Sequence, residues 1–359
     1  MMMEKKFKKI AVLTSGGDAP GMNPAVRAVV RKALSEGVEV VGVLGGYKGL
    51  IENNLVHFTP RSVANVITRG GTFLYSDRCL EFKTEEGMAK AIETCRRENI
   101  EGIIAIGGDG TFRGATDLAR RGIPTIGIPA TIDNDITATD YTLGYDTAMN
   151  TVLTMVDALR DTCESHARCN VVEVMGRDCG CIALNAGIAT GAVGIAIPEL
   201  DFDEEALLQR AKALKANGKR GMIVMVSEGI PAIKGADYCE KLTARLDKIL
   251  ETRFSRLAHV VRGGSPTLRD RVTATEMGVL AVELLLKGES NLVVCEIDGK
   301  LQPVEINFAL ILDRMYKNKL KDGDLEMFTA EQIEEMRAVC AKRTDEIQRL
   351  YKVSLDVCK

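Results

Sequence analysis

The stretch Ile10-Ala11-Val12-Leu13-Thr14-Ser15-Gly16-Gly17-Asp18-Ala19-Pro20-Gly21 runs from a short apolar segment into a glycine turn. Behind it Val26, Val29, Val30 and Ala33 recur at i, i+3, i+4 and i+7, the spacing of one apolar helical face. Asn23 reads as the N-cap of that helix, with Pro24 at its first position, where a missing N–H costs nothing. Val40 to Leu44 follows as a second strand, so the first 45 residues form a β-α-β unit with its glycine turn at the carboxyl end of a strand. The same grammar returns further on. Ile103 to Ile106 leads into Gly107-Gly108-Asp109-Gly110, then Phe112, Ala115, Leu118 and Ala119 line a helix that stops before Gly122, and Thr125 to Ile128 resumes as strand. Val171 to Val174, Gly194 to Ile197, Met222 to Val226 and Leu292 to Cys295 are further apolar runs with helical patterns between them. Such alternation favours parallel sheets covered by helices on both faces.

At 359 residues the chain is long enough for about two domains. No low-complexity linker separates its halves, which leaves open a chain that crosses between two lobes more than once. With 47 Lys and Arg against 50 Asp and Glu, the net charge of -3 excludes a generic polyanion binder, whose affinity would come from a broad basic excess. The basic start, with Lys5, Lys6, Lys8 and Lys9, runs into an apolar stretch too short for a signal peptide. No other segment approaches a membrane span, so a cytoplasmic protein is expected. The ten cysteines show no CxxC, and Cys179-x-Cys181 lacks the partners of a zinc site, so reduced thiols are expected. From Glu331 to Tyr351, Ile333, Met336, Cys340, Ile347 and Leu350 fall near helical spacing, as in a terminal helix packed on the body.

The glycine turns let backbone approach a ligand, and the helix that follows offers unpaired N–H groups to an anion. Neither is a G-x-x-x-x-G-K-[ST] loop, and the first lacks the G-x-G-x-x-G spacing, so any nucleotide is cradled differently. Pro129-Ala130-Thr131-Ile132-Asp133-Asn134-Asp135 directly follows a strand, where open α/β sheets bind ligands. It reads either as a turn or, with Asp109, as acids of which one holds Mg²⁺ and another accepts a proton. Arg168, Arg177, Arg253 and Arg262 lie beside glycine, histidine or strand-end contexts, as phosphate clamps would, although each taken alone reads first as a surface ion pair.

Together with Arg69-Gly70-Gly71-Thr72, Val174-Met175-Gly176-Arg177 and Arg262-Gly263-Gly264-Ser265-Pro266, these motifs resemble, in order and nearly in spacing, the bacterial-type ATP-dependent phosphofructokinase family over about residues 7–325. The resemblance implies two Rossmann-like α/β/α domains with mostly parallel sheets and the active site in the cleft between them. The implied division is 1–143 plus 260–310 for ATP, 144–259 plus 311–329 for fructose 6-phosphate, and 330–359 as a helical extension. It also implies transfer of the γ-phosphoryl of ATP, with Mg²⁺, to the 1-hydroxyl of fructose 6-phosphate in a cytoplasmic, allosteric homotetramer of glycolysis that binds neither nucleic acid nor membrane.

By position, Asp133 is the implied base, Thr131 a contact to sugar and transferred phosphate, Arg177 a group near that phosphate, and Asp109 the Mg²⁺ ligand. Gly17, Arg78, Cys79, Gly110 and Thr111 match donor-binding positions; Ile132, Met175, Gly176 and Glu228 match sugar contacts. Arg168, Arg253, His259 and Arg262 match the 6-phosphate clamp, with Arg168 and Arg253 expected from a neighbouring subunit. Gly110 and Ala130 stand where pyrophosphate-using members typically carry Asp and Lys, which favours ATP. Arg27, Arg31, Arg160 and Lys219 match the family's effector site. Val193, Pro60 and Asn65 replace its usual Glu, Arg and Asp, so little activation by ADP is expected. The alternatives are a pyrophosphate-dependent phosphofructokinase, a lipid or NAD kinase sharing the glycine turn, and a catalytically silent sugar-phosphate or nucleotide sensor.

Overall fold

The computed structural model describes residues 7–357 of the chain, which leaves Lys5 and Lys6 of the basic start outside the described residues. Contacts divide the chain into two compact units. The first holds the residues up to Ile132, Ile136–Asp146 and Gly264–Cys340; the second holds Asp133–Asp135, Thr147–Gly263 and the chain from Ala341.

In the first unit, β1 (Lys9–Ser15), α1 (Met22–Ser35), β2 (Glu39–Val43), α2 (Gly46–Glu52), β3 (Leu55–His57), α3 (Glu85–Arg97), β4 (Gly102–Gly107), α4 (Asp109–Arg120) and β5 (Thr125–Pro129) come in the expected alternation. The 22-residue helix α5 (Tyr145–His166) then leads into the second unit. That unit is built from β6 (Cys169–Val174), α6 (Cys181–Ala189), β7 (Gly194–Ala196), α7 (Glu204–Ala216), β8 (Met222–Ser227), α8 (Gly229–Lys234), α9 (Tyr238–Asp247) and β9 (Thr252–Arg256). The chain returns to the first unit with α10 (Leu268–Leu286), the strands β10 (Leu292–Ile297) and β11 (Lys300–Glu305), and α11 (Ile306–Tyr316). The last helix, α12 (Ala330–Val357), belongs to the first unit as far as Cys340 and to the second beyond it.

The first sheet has the order β11-β10-β5-β4-β1-β2-β3, parallel except at its two edges, where β3 and β11 are antiparallel. One face, with Ala11, Leu13, Ile103 and Ala105, joins an apolar cluster with Tyr47, Leu50, Ala91, Phe112, Leu118 and Leu312 from α2, α3, α4 and α11. The other face meets α1 and α10, which lie close together because Gly278 has no side chain: a Cβ there would stand 2.6 Å from that of Ala28. In the second sheet, β7-β8-β6-β9, every pairing is parallel. Gly187 of α6 sits against Ile195 and Met225, while Val224 and Val226 pack with Leu207, Leu214, Leu242 and Leu246 of α7 and α9, so helices cover both faces.

The structure corrects two sequence expectations. Asn23 is not the N-cap. Gly21, at φ 110°, precedes the helix, and the buried Asn23 amide instead donates to the carbonyls of Arg69 and Gly70 and accepts from the N–H of Phe73. A long-range loop takes the amide that local grammar assigned to a cap. Residues 311–329, expected with the smaller lobe, fall in the first unit, because α11 packs on α4, β10 and β11. The expected terminal helix is present as α12, with the buried Met336 in the first unit's core and the residues from Ala341 grouped with the second unit. Among the described residues no helix is long and apolar enough to cross a membrane.

Candidate active site

Register carries the motifs to one edge of the first sheet. Ser15 pairs with Gly107 and Gly107 with Pro129, so Gly16-Gly17, Gly108-Asp109-Gly110 and Ala130-Thr131 all emerge at the carboxyl ends of neighbouring parallel strands. The chain goes from β1 to β2 on one side and later returns as β4 on the other, which makes the β1/β4 boundary a topological switch point. Gly107 must be glycine: a Cβ would stand 2.3 Å from the Ser15 carbonyl and 2.4 Å from the Thr111 hydroxyl, which itself donates to Ser15 O at 3.0 Å. At Gly108 and Gly110 an added Cβ would meet nothing within 4 Å, so the turn faces open space there.

Asp109 begins α4. One carboxylate oxygen accepts from Arg113 at 2.7 Å, and the other is buried with no hydrogen-bond partner. Burial, and to a lesser extent the charge of Asp313, raises its pKa against the opposing pull of Arg113. Among the described residues no three His, Cys, Asp or Glu side chains are arranged to hold a metal ion. A cation at this turn would therefore depend on Asp109 and on oxygens brought by a ligand, the pattern Mg²⁺ favours.

Residues 69–79 form a loop tied to the end of β1. Thr14 Oγ1 lies 2.7 Å from Thr72 Oγ1 and donates to the Tyr75 carbonyl at 2.9 Å, and the Ser76 hydroxyl donates to Gly16 O. Arg78 is exposed and Cys79 half-buried at its tip. The Tyr47 and Phe82 rings stack at 4.1 Å, and the Tyr47 hydroxyl donates to Thr111 O, tethering the first turn of α4. Sequence reasoning missed Tyr47; its only signal was a lone aromatic in Gly45-Gly46-Tyr47-Lys48-Gly49.

The second unit gathers another set of groups. Val174 pairs with Ser227 and Glu173 with Arg256, so Met175-Gly176-Arg177, Glu228 and the 3₁₀ turn Ala258–Arg262 follow the carboxyl ends of β6, β8 and β9. Glu228 Oε1 accepts from the N–H groups of Gly176 at 3.1 Å and Arg177 at 2.8 Å. Its carboxylate thus shapes the turn at the same place where a sugar contact was expected. Arg177 holds φ 53°, an uncommon backbone for a long side chain, and its guanidinium reaches to 3.4 Å from Asp133 Oδ2.

Asp133 is almost wholly buried, its side chain 3% exposed. Burial first, then the neighbouring Asp135 and Glu228, push its carboxyl up to about 6, while Arg177 and Arg262 pull the other way. Asn134 beside it is buried in the left-handed region at φ 51°, which asparagine tolerates better than most residues. A carboxylate that is ionised at neutral pH yet near its titration point, held among arginines, is suited to accept a proton.

Arg168 immediately precedes β6, Arg253 pairs with Asn170 across the β6–β9 ladder, and both engage Glu251, with Arg168 Nε at 2.9 Å from it. His259 is exposed and Arg262 half-buried on the following 3₁₀ turn. The residues matched to an effector site are divided: Arg27 and Arg31 stand one turn apart on α1, where burial and their like charges lower the pKa of Arg27, and Arg160 and Lys219 belong to the second unit. The Arg160 guanidinium donates to Thr190 O. Val193 is buried in the second unit's apolar core, whereas Pro60 and Asn65 are exposed.

Comparison with known proteins identifies the family. The chain matches the family described as Phosphofructokinase over residues 9–285. It is 50% identical over 315 residues to an ATP-dependent 6-phosphofructokinase of Clostridium tetani, covering 88% of this chain and 97% of the relative. To an ATP-dependent 6-phosphofructokinase of Enterococcus faecalis it is 47% identical over 322 residues, covering 90% and 98%. Its structure is similar to the crystal structure of Pichia pastoris phosphofructokinase in the T-state, with TM-score 0.82 and 31% identity over 99% of this chain, and it spans 39% of that longer chain.

Proposed function

Because the chain belongs to the phosphofructokinase family, we propose that it is an ATP-dependent 6-phosphofructokinase, transferring the γ-phosphoryl group of MgATP to the 1-hydroxyl of fructose 6-phosphate. The observation that carries the reading is Asp133, a buried carboxyl raised to about 6 beside Arg177 on the loop that follows β5. No sensor needs such a group.

The acceptor is a hydroxyl on an anionic sugar, and the donor is a polyphosphate. Two unit charges ~5 Å apart at an effective dielectric of about 20 interact by roughly 3 kcal/mol, so bringing these anions together requires cations. Arg177 would meet the transferred phosphoryl, and Arg262, His259, Arg168 and Arg253 would hold the 6-phosphate, the last two across a subunit boundary in a homotetramer. Asp133 accepts the hydroxyl proton as that oxygen bonds to the γ-phosphorus, while the bond from phosphorus to the bridging oxygen breaks and ADP leaves. Thr131, Ile132, Met175, Gly176 and Glu228 orient the sugar. On the donor side the open turn at Gly108 and Gly110, with Gly17, Arg78, Cys79 and Thr111 around it, offers backbone N–H groups and space to the phosphates. The buried oxygen of Asp109 that lacks a hydrogen-bond partner fits a magnesium ligand. Bound there with the nucleotide, Mg²⁺ supplies charge neutralisation of the β- and γ-phosphates. The rest of the rate enhancement comes from positioning and preorganised charge.

Donor choice follows from space. A carboxylate at position 110 would project into the open region a nucleotide must use, and this chain has Gly110 there and Ala130 before the acidic loop. A coupled assay for fructose 1,6-bisphosphate should give a fast rate with MgATP and a negligible one with pyrophosphate at matched concentration. A faster rate with pyrophosphate would transfer the reading to the pyrophosphate-dependent branch, and no product with either donor would reject it. The cytoplasm is the compartment this glycolytic reading entails.

A further inference from the structure

The base loop is held from a direction that the motifs do not suggest. Arg343, on α12, donates from Nη2 to the carbonyl oxygen of Asn134 at 2.9 Å. Asn134 is the buried residue between the two carboxylates of the loop, and its left-handed backbone turns that carbonyl toward the helix. A guanidinium is a charged donor with fixed fork geometry, so it fixes an acceptor's direction more firmly than a neutral donor does.

Arg343 has a second neighbourhood. Its charge acts on the groups around the turn that follows Arg177: burial raises the pKa of Glu199, the hydrogen bond between the two thiols raises Cys179 and lowers Cys181, and Arg343 pulls all three downward. Within that turn Glu199 Oε1 accepts from Gly180 N at 2.8 Å, Cys179 Sγ donates to Cys181 Sγ at 3.0 Å, and the Cys179 N–H donates to Gly176 O at 2.9 Å. The same guanidinium therefore faces both segments whose side chains meet as Asp133 and Arg177.

The helix is placed for this contact. Met336, Cys340, Arg343 and Ile347 follow one another at spacings of four, three and four, which puts them on one side of an α-helix. Met336 is fully buried in the first unit's core and Ile347 nearly so, while Arg343 is half-buried. An arginine in the middle of an apolar stripe is costly unless its donors are used. The carbonyl of Asn134 is such a use.

We propose that Arg343 is a positioning residue for phosphoryl transfer: the terminal helix, through this one side chain, fixes the Asn134 peptide and with it the aim of Asp133 toward the acceptor hydroxyl. It touches neither substrate, and it rests on the reading of Asp133 as the base. The terminal helix thereby becomes part of the catalytic framework.

The test is steady-state kinetics of full-length Arg343→Met, Arg343→Lys and, as a control on the same helix, Arg337→Met, whose partner Glu334 is one turn away on the surface. Arg343→Met should lose roughly tenfold or more in kcat, the scale expected when a reacting group is misaligned, with KM for both substrates within about threefold of wild type. Arg343→Lys should recover part of that loss, and Arg337→Met should keep wild-type kcat. Melting temperatures of the two Met variants should agree, and the pH at which kcat/KM falls on the acid side should not move, since Asp133 keeps its neighbours. Wild-type kcat in Arg343→Met would overturn the proposal, as would equal losses in both Met variants or a change confined to KM. If Arg343→Met is too unstable to assay, an Arg343→Lys variant with wild-type kcat overturns it alone. Asp133→Asn, run in parallel, separates the two readings: its normal turnover would remove the base assignment, whereas its collapse beside a normal Arg343→Met would remove the present inference only.

Discussion

Replacing Asp133 by Asn removes the charge and the proton acceptor while keeping shape and volume in a side chain only 3% exposed. General-base catalysis contributes about 10²–10⁴ in rate, equivalent to about 3–5 kcal/mol of barrier, so kcat should fall by that factor. KM for the sugar phosphate should change only a few-fold, since the binding arginines remain. The pH profile carries a second signature. With the carboxyl at about 6, the wild-type base is about nine-tenths ionised at pH 7 and about one-tenth at pH 5, so kcat/KM should fall by close to an order of magnitude across that interval. The substrate phosphate titrates in the same range, but equally for both enzymes, so the difference between the two profiles isolates Asp133. Stability should move the other way. The carboxyl binds its proton more tightly in the fold than its ordinary 3.8 allows, so the ionised form costs the folded state about 3 kcal/mol above pH 6, less between 6 and 4, and nothing below. Asp133→Asn should therefore melt several degrees higher than wild type at pH 8 and alike at pH 4, with coupled-assay turnover and calorimetry read on the same preparation. A variant keeping more than a tenth of wild-type kcat, or an acid limb unchanged by the substitution, would refute the assignment.

Asp109→Asn should raise the Mg²⁺ concentration for half-maximal rate at least tenfold, because it neutralises the carboxylate whose second oxygen lacks a protein partner; an unchanged magnesium titration would exclude Asp109 as the ligand. ADP should activate the enzyme little: Val193 is a core side chain where an acidic metal ligand would be needed, and strong activation in a sugar-phosphate saturation curve would contradict this.

Much of the site was legible in the chain because its parts are local. Glycine turns directly after apolar runs, and an acidic loop after a third, needed only strand periodicity to be placed at strand ends, and the register of β1, β4 and β5 sets them side by side. Asn23 was misread because capping rules see three or four residues, whereas the partners of its amide lie some fifty residues away. The role of Glu228 in shaping the Arg177 turn was hidden for a related reason, since it depends on the adjacency of β6 and β8. Tyr47 carried too common a pattern to stand out.

The amino-acid sequence by itself determined the alternation of strands and helices, the glycines that close approach requires, and the chemical kinds gathered at the site. Those follow from periodicity, backbone freedom and side-chain chemistry, which are properties of short segments. Only the tertiary structure decided that 311–329 packs with the first unit, that burial and neighbouring acids bring Asp133 near neutrality, and that Arg343 reaches the carbonyl of Asn134 from more than two hundred residues away in the chain. The reason is physical: desolvation and a directed hydrogen bond depend on what is brought close in space, and residue spacing in a single chain does not encode that distance.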